Sequence, residues 1–147
     1  TTITEKAMVE QWKKTGLDKT WDIPKATNDK VSDAYGLSYY SDPFPVVTGQ
    51  AYRVSFDFRG ISEGAKVWVR GYGEYKGEKR RRYEKVVTCR TEQTGWTHFS
   101  ALLYPTRNRP EVTEMKVMLY AYHPAGIYWF DNVRIEPIRP EEHPAEP

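Results

Sequence analysis

AYRVSFDFRG, residues 51–60, decides the fold class. Tyr52, Val54, Phe56 and Phe58 take the even positions, while Arg53, Ser55, Asp57 and Arg59 take the odd ones. Successive side chains of a strand point to opposite faces, so this run predicts a strand with one buried and one wet face. Turn residues bracket it: Thr48-Gly49-Gln50 before, and Ile61-Ser62-Glu63-Gly64 after.

The two-residue period continues outward from this stretch. Residues 65–75 set Val67, Val69 and Gly71 against Trp68, Arg70 and Tyr72, and Lys76-Gly77-Glu78 reads as a hairpin turn into a strand over 79–90. Residues 96–104 place Thr97, Phe99, Ala101 and Leu103 on one side, and 105–110 form a polar loop. Residues 114–122 alternate Met115, Val117, Leu119 and Ala121 with Lys116, Met118, Tyr120 and Tyr122. In the last run, 127–136, Tyr128 and Phe130 share one parity and Val133 and Ile135 the other. A bulge near Asp131-Asn132 brings all four to one side.

Toward the N-terminus the pattern weakens to a short helix over 4–14 and strands over 21–23 and 36–41. Past Ile138 the Pro- and Glu-rich RPEEHPAEP predicts a solvated tail, giving one domain over 1–138 and a tail over 139–147. Seven or eight strands with regular turns and little helix predict an all-β protein, an antiparallel sandwich of the jelly-roll kind.

Such a domain needs a core, and only 28 of the 147 residues are Leu, Ile, Val or Phe. Rings make up the shortfall, with 5 Trp, 5 Phe and 11 Tyr. Parity divides them. Tyr52, Phe56, Phe58, Phe99, Tyr128 and Phe130 fall on presumed core faces, whereas Trp68, Tyr72, Tyr120, Tyr122 and Trp129 fall where the core does not need them.

No run of about 18 apolar residues is present, so no membrane-spanning helix is expected. The residues before Lys14 lack the apolar run of a signal peptide. A single cysteine, Cys89, excludes an internal disulfide and a multi-cysteine zinc site. A net charge of +2 and a pI near 8.6 give no global drive toward nucleic acid.

Catalytic motifs are scarce: there is no GxSxG, HExxH, phosphate-binding glycine loop or EF-hand loop. The three histidines, His98, His123 and His143, stand far apart, and Cys89 reads as a small buried hydrophobe. Asp57, Glu74 and Asp131 fall on outward parities, which leaves a glycosidase-type carboxylate pair open.

The outward positions say more. They read Arg53, Asp57 and Arg59; then Trp68, Arg70, Tyr72 and Glu74; then Tyr120 and Tyr122; then Trp129 and Asp131. A pyranose has an apolar C–H face that stacks on Trp or Tyr and hydroxyls that suit Arg, Asp or Glu, so this mixture points to sugar recognition. The alternative is that the rings cover a second layer of the fold. A basic hairpin (Lys76, Lys79, Arg80, Arg81, Arg82 and Lys85) either meets an acidic polymer or protects a strand edge by charge. Glu74, Glu78 and Glu84 partly neutralise it.

Three motifs in order, Gly49-Gln50-Ala51-Tyr52, Gly95-Trp96-Thr97 and Phe130-Asp131-Asn132-Val133, carry a resemblance. Over about residues 45–136 the chain resembles the galactose-binding-like β-sandwich carbohydrate-binding modules of bacterial polysaccharide-degrading enzymes. The resemblance implies a secreted, extracellular, non-catalytic module that holds a parent enzyme's catalytic domain near a β-glycan such as cellulose, β-glucan or xylan. Its implied site is Trp68, Tyr72, Tyr120, Tyr122 and Trp129 with Arg53, Asp57 and Arg70 on a sheet face, or Tyr39, Tyr40, Phe44 and His123 at loop tips. Trp96 is implied to be scaffold. No cofactor is required, though many relatives bind a structural calcium through the acid at Asp131, partnered by an N-terminal glutamate that has no clear counterpart here. The expected partners are polysaccharide and the parent enzyme, with neither nucleic acid nor membrane, and the chain is expected to be monomeric. The rival readings are a support module without glycan binding and a jelly-roll lyase or hydrolase.

Overall fold

The computed structural model describes residues 36–124 and 126–139. The helix expected over 4–14, the strand over 21–23 and the tail beyond Arg139 lie outside the described residues. Those described form eight strands and no helix: β1 Leu37–Tyr40, β2 Phe44–Pro45, β3 Tyr52–Arg59, β4 Ala65–Tyr75, β5 Glu78–Thr88, β6 Thr97–Leu103, β7 Val112–Ala121 and β8 Trp129–Pro137. No helix among them is long and apolar enough to cross a membrane.

The strands make two antiparallel sheets. The larger runs β1-β7-β4-β5, with β2 also paired to β7, and the smaller runs β6-β3-β8. Burial follows the sequence period. Tyr52, Val54, Phe56 and Phe58 of β3 are buried, as are Ala65, Val67 and Val69 of β4. Fold class is thus as expected: an all-β sandwich with antiparallel sheets.

The two sheets fill the core with different materials. The smaller sheet contributes rings: Phe56 stacks on Phe99 with centroids 5.3 Å apart, and Phe58 lies 5.3 Å from Phe130. The larger contributes Ala65, Val67, Val69, Met115 and Val117. Each fully buried Phe removes enough apolar surface to contribute about 1.5–3 kcal/mol. The aliphatic shortfall is made good chiefly by the smaller sheet, with Phe44 and Tyr83 adding rings from the larger.

Two local features set the geometry. Tyr75 pairs with Glu78, so Lys76 and Gly77, at φ 53° and 79°, form a two-residue hairpin loop whose twist suits the flanking strands. Farther along β4, a Cβ on Gly73 would lie 1.7 Å from the carbonyl oxygen of Glu111. Only glycine admits that approach of the β7 lead-in.

β8 carries the expected bulge. Ser55 faces Arg134 and Asp57 faces Asp131, so Asn132 and Val133 together oppose the single residue Phe56, with Asn132 at φ 49°. Tyr128, Phe130 and Ile135 thereby pack against the core. Val133 differs from expectation: it stays 37% exposed. The physical reason lies in the layer sizes. The smaller sheet ends at β8 while the larger continues past β7 to β1, and a groove of about 580 Å³ opens between them. Tyr39, Phe44, Val117, Leu119, Val133 and Ile135 line it.

Candidate functional site

The outward side chains of the central strand β4 are Lys66, Trp68, Arg70, Tyr72 and Glu74, because the odd residues between them are spent on the core. Register places their neighbours. Trp68 faces Met118 on β7 and Val86 on β5, and Met118 in turn faces Tyr40 on β1. Tyr40, Met118, Trp68 and Val86 therefore make one row across four strands. Lys116, Arg70 and Glu84 make the next, then Glu114, Tyr72 and Arg81.

Arg70 is fixed in this array. Its Nε donates to Glu84 Oε2 at 2.9 Å, its Nη1 donates to Tyr40 Oη at 3.4 Å, and its guanidinium lies 4.9 Å from the Trp68 ring centre. Tyr40, which holds one end of the fork, is 51% exposed. The Trp68 Nε1–H is buried and meets no acceptor among the described residues. A buried donor without a partner costs about 1–3 kcal/mol, which phenylalanine at this position would not incur. Packing alone therefore gives no reason for tryptophan here.

Tyr120 and Tyr122 behave differently from Trp68. Their rings stack at 5.3 Å and 9°, a Cβ on Gly36 would lie 2.6 Å from the outer edge of the Tyr120 ring, and Lys66 Nζ sits 5.1 Å from the Tyr122 ring centre. Tyr120 thus has one ring face stacked on Tyr122 and its outer edge against Gly36. Tyr72 has Lys116 Nζ at 5.9 Å.

The eight sugar-site candidates do not form one site. Trp68, Arg70, Tyr72, Tyr120 and Tyr122 lie on the outer face of the larger sheet. Arg53, Asp57 and Trp129 belong to β3 and β8 and lie on the outer face of the smaller sheet, across the core. There Asp57 Oδ1 is 2.7 Å from His98 Nδ1, and Asn132 Nδ2 donates to Asp57 Oδ2 at 2.7 Å. The Asn132 hydrogen bond, and next the one with His98, hold the Asp57 carboxyl below its ordinary range. Asn132 makes this contact from the left-handed position of the bulge, at φ 49°.

Among the loop-tip candidates, Tyr39, Tyr40 and Phe44 meet on the groove at the open edge of the sandwich, and His123 is not part of its lining. Trp96, implied to be scaffold, is 47% exposed instead. Trp96 immediately precedes β6, so its exposure belongs to the loop that leads into that strand.

Asp131 stands on β8. One of its oxygens accepts the Asn132 amide at 2.7 Å, and among the described residues no group of three or more His, Cys, Asp or Glu is placed to hold an ion. Calcium wants six to eight oxygens, so the donors described at Asp131 do not fit it. The N-terminal segment that the resemblance would recruit lies outside the described residues.

The basic hairpin is cross-neutralised. Arg80 pairs with Glu78 at 2.8 Å, Arg81 with Glu84 at 3.0 Å, Arg82 with Glu111 at 2.7 Å, and Lys79 with Glu114. The hydrogen bond between them raises the Arg82 pKa and lowers that of Glu111. Cys89 is fully buried, and burial pushes its thiol up to about 12. A thiol so protonated is no nucleophile at neutral pH.

No protein-family model matches the chain, and no curated protein matches it. Among solved structures, one described as "CBM4 structure and function" is similar at a TM-score of 0.41 and 13% sequence identity, covering 69% of this chain. The chain spans 61% of that structure's length.

Proposed function

We propose that the protein is a non-catalytic carbohydrate-binding module that takes a β-glycan chain on the outer face of the larger sheet. The observation that carries this reading is the Tyr40–Met118–Trp68–Val86 row with Arg70 clamped beside it between Glu84 and Tyr40. Trp68 supplies a flat apolar surface for a pyranose C–H face, and the Arg70 fork supplies donors for hydroxyls in fixed orientation. Tyr122 and Tyr72 extend the strip to either side. Among the described residues no acid pair sits in an enclosed cleft, and the one close acid–imidazole pair, Asp57 with His98, lies on an open sheet face. The module's contribution to an attached, secreted enzyme would be local concentration of substrate.

The test is electrophoresis through gels containing soluble cellulose-, xylan-, mannan- or pectin-type polymers. The wild-type chain is expected to be retarded by at least one of them, and Trp68→Ala is expected to abolish most of that retardation. Free migration in all four gels would overturn the reading.

One observation favours a second reading, a support module that packs on a neighbouring domain. The groove lined by Phe44, Val117, Leu119, Val133 and Ile135 is apolar and open, as a surface covered by another domain would be. This reading expects no retardation in any gel.

A further inference from the structure

The smaller sheet carries a second collection of exposed rings and polar groups, and it is separate from the face already described. Arg59 ends β3 and pairs directly with Trp129, the first residue of β8. On the other side of β3, Phe58 pairs with Thr97, the first residue of β6. Trp96 immediately precedes that pair, just outside β6, and is exposed. Phe58 and Phe130 turn inward, so their strand neighbours Arg59 and Trp129 turn outward. The guanidinium of Arg59 lies 5.0 Å from the Trp129 ring centre.

Burial does not explain these indoles. Trp96 and Trp129 are 47% and 41% exposed, while the core rings of the same sheet, Phe56 and Phe58, are fully enclosed. Two half-exposed tryptophans beside an exposed arginine expend ring surface on solvent, which a solvated strand end would not require.

One row deeper on the same face sits the Asp57, His98 and Asn132 trio. Each Asp57 oxygen takes a single partner, His98 on one and Asn132 on the other, both at 2.7 Å. An ionised carboxylate accepts about four hydrogen bonds, so lone pairs remain on both oxygens for a vicinal diol. His98 and Asn132 fix the carboxylate's orientation without neutralising its outward lone pairs.

We infer that this face is a second glycan site, in which Trp96 and Trp129 stack on pyranose rings on either side of Arg59 and Asp57 accepts sugar hydroxyls. Two sites on opposite faces of a sandwich cannot hold one straight chain together. They hold two chains, so the protein bridges polymer strands as well as adhering to one. The site stands on geometry independent of Trp68 and does not require the first face to bind.

The test uses the full chain and soluble hydroxyethylcellulose, xylan and galactomannan, with affinity electrophoresis and light scattering of the polymer as the two readouts. The wild-type chain is expected to be retarded and to raise scattering by cross-linking. Removing one face, by Trp68→Ala or by Trp96→Ala with Trp129→Ala, should weaken retardation about tenfold and abolish cross-linking. Combining all three substitutions should abolish retardation. Arg59→Ala, at an exposed position, reproduces the second-face loss without touching an indole and guards against a misfolded double variant.

Wild-type retardation and scattering in both the Trp96/Trp129 variant and Arg59→Ala would overturn the second site and leave the first standing. Binding that survives Trp68→Ala unchanged but vanishes without Trp96 and Trp129 would support this site and overturn the first. An unretarded wild-type chain would overturn both.

Discussion

The two sheets solve the same problem in opposite ways. The larger sheet is aliphatic within and crowded without: its outer face is a lattice of ion pairs and cation–ring contacts, from Arg70–Glu84 to Lys66–Tyr122. The smaller sheet is aromatic within and open without, with a short row of paired polar groups and two tryptophans at one end. In the larger sheet, rings are braced by charges and held in place. In the smaller one, the rings that brace the fold are inside, and outside them only Trp129 has a cation over it, Arg59, among the described residues. Exposure alone is therefore a poor guide to which ring works. What it is braced against matters as much.

The largest effect that tests this contrast is in the core. Phe56→Ala should cost about 3–5 kcal/mol, because Phe56 stacks on Phe99 and no other ring can close the space. Met115→Ala, at the matching depth of the larger sheet, should cost about 2–5 kcal/mol and toward the lower end, since its flexible neighbours relax more readily. Urea denaturation of both variants measures the difference, and equal losses would remove the distinction between ring core and aliphatic core.

A smaller effect follows from Cys89. Burial raises its thiol from an ordinary value of 9.0 to about 12, so the folded state favours the protonated form. That preference is fully present below pH 9 and is lost as pH climbs from 9 toward 12. Stability should therefore fall over that window, and Cys89→Ala should flatten the fall while lowering stability at neutral pH. Thermal melts in a pH series decide it; identical alkaline slopes in the two proteins would count against burial as the cause.

The smallest effect is on the open sheet. Asp57 is held below its ordinary 3.8 by Asn132 and His98, so its contribution to folding is present above that pH and declines as pH drops through the lower folded value. Asp57→Asn should make the acid limb of the stability curve slightly shallower, with no change at neutral pH in the melting of the larger sheet's contacts. An acid limb that steepens instead would reverse the assignment. Because Asp57 sits half-buried on an open sheet face, solvent screening keeps this contribution slight.

Much of this was legible in the chain before any coordinates. The inward sets of β3, β4, β6 and β7 follow from period two alone, because each of those strands has one buried face. The bulge at Asn132 was legible too, as a parity break between Phe130 and Ile135. What parity cannot say is which of two outer faces a residue occupies. It is defined within a strand, whereas the assignment of β3 and β8 to one sheet and β4 and β7 to the other rests on pairings up to 85 residues apart, such as Tyr52 with Pro137. Trp68 and Trp129 therefore share an outward parity without sharing a surface. Trp96 lies just before β6, where period two does not reach, so its exposure is not legible from parity. β5 was read correctly as a strand, yet only Tyr83 and Val87 of its eleven residues pack against the core, which the run of arginines conceals.

The two-residue turn at Lys76-Gly77 has a consequence in time as well as in shape. It ties β4 to β5 with the shortest possible closure, so this hairpin pays almost no loop entropy and can form within microseconds. The smaller sheet contains no hairpin: β3 reaches β6 across about forty residues and β8 across about seventy-five. Its pairings wait on long loops closing, and the ring core closes with them. The expected order is hairpin early and aromatic core late, with substitutions near Lys76-Gly77 slowing folding and substitutions at Phe56 and Phe130 mainly hastening unfolding. Stopped-flow chevrons that gave the reverse pattern would refute that order.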